Sequence, residues 1–305
     1  MADSLTSPGL ILASNKAIME AQRGIAFVKN FATDFSAELQ GEGKTVKVPV
    51  FSGDATVYSE DVGSPNDFET TDGSIIPVSV TLDTIVKVTY SLGIWDLTEI
   101  DKSSTSRNCG IAAGRAIGRK LEELVMDLLT YDRRKAAASS FQVSKLGKAI
   151  ATAEKNDIDP STLVCILNPD MYGDLLDANT ANAAIQGNDI ASALGAKYGI
   201  KSILCSAKVK VASDGGSTNK GVGFLVADSA IAIAARGIEQ AVDGLYKEYG
   251  VTSDEGSGLP VTSFVHGTPG RNKRFMNVAC MLGATLTRDS VGTNKAPGYI
   301  QLVTA

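Results

Sequence analysis

The sequence predicts a mixed α+β fold that carries a long projecting arm, and three observations support it. Residues 45–51 (TVKVPVF) and 78–90 (VSVTLDTIVKVTY) alternate apolar and polar side chains, the period of half-buried strands. Residues 107–137 carry one apolar stripe at helical spacing. Residues 138–238 alternate short apolar strands with helical stretches, and long alternating strands return at 274–303.

Composition sets the class. The chain has 305 residues, 44% hydrophobic and 21% charged, which is enough for one large or two ordinary domains with real cores. A net charge of −5 argues against a protein whose main task is gripping phosphates. The N-terminus MADSLTSPGLILASNK lacks the basic region and long apolar core of a secretory signal, and no run of eighteen apolar residues is present to span a membrane. Cys109, Cys165, Cys205 and Cys280 are far apart with no CxxC pair, so they read as buried free thiols rather than metal ligands or disulfides.

Taken in order, residues 16–39 place Ile18, Ala21, Ile25, Val28, Ala32, Phe35 and Leu39 on one face of a helix that GEGK (41–44) ends. The arm follows. Its second strand puts Val78, Val80, Leu82, Val86, Val88 and Tyr90 on one face. Between Val48 and Val86 there is no Lys or Arg, but there are Asp54, Glu60, Asp61, Asp67, Glu69, Asp72 and Asp83. The middle segment SGDATVYSEDVGSPNDFETTDGS (52–74) has few large apolar groups, so a two-stranded arm is marginal alone, and the expected surface for it is another copy of the chain. After DLTE (96–99), a capping pair, the helix 107–137 buries Ala113, Ile117, Leu121, Leu124, Leu128 and Tyr131. Gly110, Gly114 and Gly118 lie four apart on it, which predicts that another backbone approaches closely there.

Lys145–Lys155 reads as a helix and 162–168 as a buried strand, and Asn168-Pro169 then reads as the N-cap and first residue of a helix through Leu176. Residues 178–192 read as a loop, 198–206 and 221–227 as strands, and 228–236 as a short helix or turn. In 274–288, Met276, Val278, Cys280, Leu282, Ala284 and Leu286 share a face, and YIQLV (299–303) closes the chain.

The catalytic inventory is thin. The single histidine, His266, sits in the polar stretch HGTPGRNK with no nucleophile elbow, and reads as a surface turn residue. Phosphate loops are absent, since GVGF and GSGL lack the later Gly and the Lys. The arm's carboxylates do not have EF-hand spacing. No cofactor and no metal is expected. The expected use of the arm is electrostatic. Asp54, Glu60, Asp61, Asp67, Glu69 and Asp72 need a positive counterpart across a subunit contact, and the candidates are Arg115, Arg119, Lys120, Arg133, Arg134, Arg271, Lys273 and Arg274.

This order of segments resembles the major capsid proteins of tailed double-stranded DNA bacteriophages, the Hong Kong 97 fold. The motifs that carry the resemblance are the acidic hairpin 48–86, the helix 107–137, LVCILNPDMYGDLL (163–176), GAKYGIKSILCS (195–206), GFLVADSAIAIAARGI (223–238) and RFMNVACMLGATLTRDSVGTNKAPGYIQLV (274–303). The resemblance implies an N-arm (1–44), an E-loop hairpin (45–92), a spine helix within the P-domain (93–137), an inserted A-domain (138–238) and closing P-domain strands (239–305). It implies self-assembly through pentamers and hexamers into an icosahedral virion shell in the host bacterial cytoplasm. A separate scaffolding protein, a portal and weak inner-surface contact with double-stranded DNA go with it. Some members join subunits by an isopeptide between an E-loop Lys and an Asn. Asn294 is available but 48–86 has no Lys, so noncovalent subunits are expected. An encapsulin-type nanocompartment shell shares the fold and is the second reading. An enzyme built on 138–238 is the third.

Overall fold

The structure is a computed structural model that describes residues 7–36, 45–52, 74–93, 102–129, 136–138, 145–155, 158–180, 190–209, 220–238, 248–253, 260–267, 273–287 and 298–304. It contains two larger sheets, a two-stranded ribbon and two long helices.

The first helix, α1 (Ser7–Lys29), starts and ends earlier than its apolar periodicity suggests. Its end has a local cause. The Asn30 side chain donates to the carbonyl of Ala26 at 2.8 Å, and Phe27 and Phe31 meet edge to face at 5.4 Å. Ala32, expected on the helix, instead opens strand β1 (Ala32–Asp34), which pairs parallel with β9 (Ile231–Arg236).

The arm is an antiparallel ribbon of β2 (Thr45–Ser52) and β3 (Ser74–Thr81), in register from Thr45↔Thr81 to Ser52↔Ser74. The run 78–90 therefore divides near Asp83. Its first half belongs to the ribbon, and its second half is β4 (Thr84–Gly93), paired with β12 (Lys273–Leu286). The expected face holds across the break. Val78, Val80 and Leu82 are buried, Val86, Val88 and Tyr90 are half-buried, and Ser79, Thr81, Asp83, Ile85, Lys87 and Thr89 are exposed.

The long helix α2 spans Lys102–Leu128. SSTS (103–106), expected to lie before it, is inside it, and residues 136–138, expected as its end, form strand β5. Its fully buried row is Ala113, Ile117, Leu121 and Val125, a constant step of four, with Leu124 and Leu128 only partly buried. α1 lies against α2. A Cβ on Gly24 would sit 2.7 Å from the Gly118 Cα, and one on Gly114 would overlap the Ala17 carbonyl. The close approach expected at Gly114 and Gly118 is therefore made by the chain's own N-terminal helix.

The remaining helices are α3 (Leu146–Lys155), α4 (Pro169–Thr180) and α5 (Ile190–Tyr198). Asn168 caps α4 as its sequence suggests, its Oδ1 accepting from the Met171 N–H at 2.8 Å. α4 runs past Leu176 into the segment 178–192 read as loop, and α5 begins at its end. Gly199, at φ +70°, ends it, which leaves only β7 (Ser202–Cys205) of the expected strand 198–206.

Five strands form one sheet in the order β5–β13–β8–β6–β7, with β6 (Leu163–Leu167), β8 (Lys220–Ala227) and β13 (Tyr299–Thr304). The other sheet runs β1–β9–β12–β11–β10, with β4 also on β12, where β10 is Glu248–Ser253 and β11 is Pro260–Gly267. Two expectations are corrected here. Residues 228–236 are not a helix: after a turn at 228–230 they form β9, and β9 joins the sheet of β12 rather than that of β8. The closing strand 299–304, grouped by the resemblance with 274–286 as P-domain strands, pairs with β8 in the five-stranded sheet. Alternating Ala and Ile at 230–235 suit helix or strand equally, and only their distant partner decides.

The turn between β8 and β9 ties the sheets together. Asp228 N–H donates to Thr162 at 3.1 Å, Thr287 N–H to Ala230 at 2.9 Å, and Thr33 Oγ1 to the Asp228 carbonyl at 3.4 Å. The buried Ser206 donates to Glu122 of α2 at 2.5 Å. One apolar cluster runs without interruption through α1, α2 and both sheets, from Ala17 and Ile117 through Ile166 and Leu225 to Val278 and Leu302.

Candidate assembly interface

The arm is anchored at its root. Val46, Val80 and Leu82 are buried against Ala232 and Ala234 of β9, with Phe35 and Met281 at the edge of the cluster. From this root the ribbon extends through eight pairs, a length of roughly 27 Å at the usual strand rise. Pro49 and Pro77 face each other within it, an arrangement suited to a ribbon with unpaired edges. Asp54, Glu60, Asp61, Asp67, Glu69 and Asp72 lie between the two strands, outside the described residues.

The expected bases separate into groups. Arg115 and Lys120 on α2 have partners within their own chain. Arg115 Nε lies 3.1 Å from Glu20 on α1, and Lys120 Nζ lies 3.3 Å from Glu123 one turn on. Arg119 is exposed and forms no ion pair among the described residues. Arg133, Arg134 and Arg271 lie outside the described residues. Lys273 and Arg274 begin β12, Lys273 opposite Gly93 and Arg274 opposite Leu92 on β4.

His266 is not in a turn. It lies on β11 and its ring stacks on Phe275, with centroids 5.1 Å apart and planes 18° from parallel. Its Nδ1 lies 2.9 Å from Nδ2 of Asn277, and Thr89 Oγ1 donates to Asn277 Oδ1 at 2.7 Å. The Asn277 amide also donates to the Phe275 carbonyl at 3.4 Å. That orientation makes Asn277 the donor toward the ring's Nδ1. The row Thr89–Asn277–His266 stitches β4, β12 and β11 together, a cross-strand role that the Gly-Pro-rich residues after His266 hide in the sequence. Among the described residues no group of three or more His, Cys, Asp or Glu is arranged to hold a metal ion.

The thiols also separate. Burial pushes Cys165 and Cys280 up to about 12. Cys109 is half-buried, but Cys205 is exposed, against the expectation of four buried thiols.

The family of phage capsid proteins matches residues 110–273, more than half of the chain. The chain belongs to this phage capsid protein family. As a capsid protein it is a structural subunit of the virion shell, built on the Hong Kong 97-type fold. Solved structures agree on the fold. The capsid of Ralstonia phage GP4 is 14% identical, with 90% of this chain and 86% of that chain covered and a TM-score of 0.56. The capsid structure of cyanophage P-SCSP1u is 15% identical, with 90% and 86% covered and a TM-score of 0.52. A virus-like particle from Pyrococcus furiosus is 11% identical, with 95% and 97% covered and a TM-score of 0.51. No curated protein matches the capsid protein's sequence. Among its described residues no helix is long and apolar enough to cross a membrane.

Proposed function

We propose that this capsid protein closes, as pentamers and hexamers of itself, into an icosahedral shell around double-stranded DNA, and that its acidic arm docks on a neighbouring copy. The observation that supports this reading is the arm itself. Its root is buried against the subunit's own sheet, and beyond the root the ribbon continues as two paired strands, an arrangement that is marginal without a further surface to lie on. Closed shells reuse one set of surface patches around several axes, and an arm that reaches a neighbour suits that use.

The sequence between the two strands of the arm carries Asp54, Glu60, Asp61, Asp67, Glu69 and Asp72 and needs bases. Glu20 and Glu123 lie beside Arg115 and Lys120 and offset their charge toward an acidic arm, so the neighbour's Arg133, Arg134, Arg271, Lys273 and Arg274 are the better counterparts. A separate scaffolding protein and a portal complete the assembly, which takes place in the bacterial cytoplasm, and DNA meets the inner surface only weakly, in keeping with the net charge of −5. The domain division 1–44, 45–92, 93–137, 138–238 and 239–305 is refined in this reading. β9 works with the P-domain sheet and β13 with the A-domain sheet.

A nanocompartment shell, which shares the fold, is the second reading. The test is the content of particles purified from cells. Nuclease-protected DNA supports the phage shell, and a protein cargo without DNA overturns it in favour of the second reading.

A further inference from the structure

The charges of α2 are placed against the helix that carries them. Its first turn holds no acid and its last turn no base. Arg107, Arg115 and Arg119 occupy the N-terminal two-thirds, and Glu123 and Asp127 follow toward the C-terminus. A helix favours the opposite order, because its N-terminus is the positive end of its dipole. The spacing also runs in the weaker sense, since an acid four residues before a base supports a helix better than the reverse. These charges were therefore not placed for the helix's own stability.

Arg115, Arg119, Glu123 and Asp127 form a single row with a step of four residues. Arg115, Arg119 and Asp127 are exposed, and the Glu123 side chain is 41% exposed. The row reads plus, plus, minus, minus, so it is complementary to itself when reversed. Rows with a step of four are the ridges that run alongside each other when two helices cross at about −50°. A twofold axis through residue 121 then sets Arg119 against the other copy's Glu123, and Arg115 against its Asp127. The two arginines of the row keep donors for this, while Glu123 is shared with Lys120 of its own helix. Glu20 takes only the Nε–H of Arg115, and Arg119 forms no ion pair among the described residues.

We infer that the exposed row of α2 is a twofold contact between two copies of this chain, held by reciprocal Arg119–Glu123 and Arg115–Asp127 pairs. The inference rests on the shell reading in that a closed shell supplies twofold axes, but the contact itself needs only two copies. It also assigns Arg115 and Arg119 to a neighbouring helix rather than to the acidic arm.

The test uses the full chain and two single reversals, Arg119→Glu and Glu123→Arg, each checked by circular dichroism. Each reversal creates a like-charge contact at two symmetry-related places, and sedimentation velocity should show association weakened roughly tenfold. An equal mixture of the two variants should recover it, because each copy of one then faces a complementary copy of the other. Loss of the Lys120–Glu123 pair within one chain is not repaired by mixing, so recovery is specific to the contact between copies. Single variants that associate like the parent, or a mixture as deficient as its components, overturn the contact. If the parent forms shells and so do both variants, the row falls and the shell reading stands. If the parent forms dimers sensitive to these changes but never shells, the row stands and the shell reading falls. A parent that is monomeric throughout overturns both.

Discussion

Gly118 and Gly24 touch backbone to backbone, so that a methyl group on Gly24 would come within 2.7 Å of the Gly118 Cα. Gly114 meets the Ala17 carbonyl in the same seam. Gly114→Val should therefore separate α1 from α2 and cost about 1–3 kcal/mol, the usual penalty of overpacking a close contact. Gly173, inside α4, has nothing within 4 Å of an added Cβ. Gly173→Ala should stabilise by about 0.5–1 kcal/mol through helix propensity alone. Urea unfolding of the unassembled chain checks both, and equal effects at the two positions would contradict the seam.

Asn168 links β6 to α4 through its side chain, and its own N–H bonds to Val222 at 2.9 Å. Asn168→Ala removes only the cap. A loss of about 1 kcal/mol in the same unfolding assay is expected, and Asn168→Asp should retain most of the stability.

The α4 cap was legible because its chemistry is local, with a cap residue followed by Pro in sequence. The face of 78–90 was legible for the same reason, because period two survives whichever strand is the partner. The break at Asp83 was not, since it depends on β2 and on β12, which lies nearly 200 residues away. The stacked His266 and the β9 strand were misread on the same grounds. At the interface, the acid-only arm was plain in composition. That Glu20 and Glu123 would engage Arg115 and Lys120 required the packing of α1 on α2 and the turn of one helix.

The buried thiols give the subunit an alkaline limit. Cys165 and Cys280 are held up to about 12 by burial, above their ordinary 9.0, so the folded chain keeps protons that the unfolded chain releases. Stability from this source is intact below the unfolded value and falls as pH rises from there toward 12, by about 1.4 kcal/mol per pH unit per thiol. Cys165→Ala with Cys280→Ala should flatten that slope in unfolding measurements across the alkaline range. In native protein at pH 8 a thiol reagent should modify Cys205 first and leave Cys165 and Cys280 untouched until unfolding.

The arm tests the electrostatic part of the account. Replacing Glu60, Asp61 and Asp67 by Lys should impair shell formation and leave the circular dichroism of the subunit unchanged, because the described anchor of the arm is the root at Val46, Val80 and Leu82. Each exposed pair contributes only about 0–1 kcal/mol, but every subunit repeats the set. Added salt should weaken assembly of the parent more than that of the triple variant, since charges at the surface are screened beyond roughly 8–10 Å. Unaltered assembly of the variant at both low and high salt would refute docking of the arm by charge.

The most direct test of the capsid reading is negative-stain electron microscopy of the purified recombinant chain across a concentration series at low salt. The account predicts closed shells, or rings of five and six copies where the scaffolding partner is missing. A chain that stays monomeric at every concentration would contradict it.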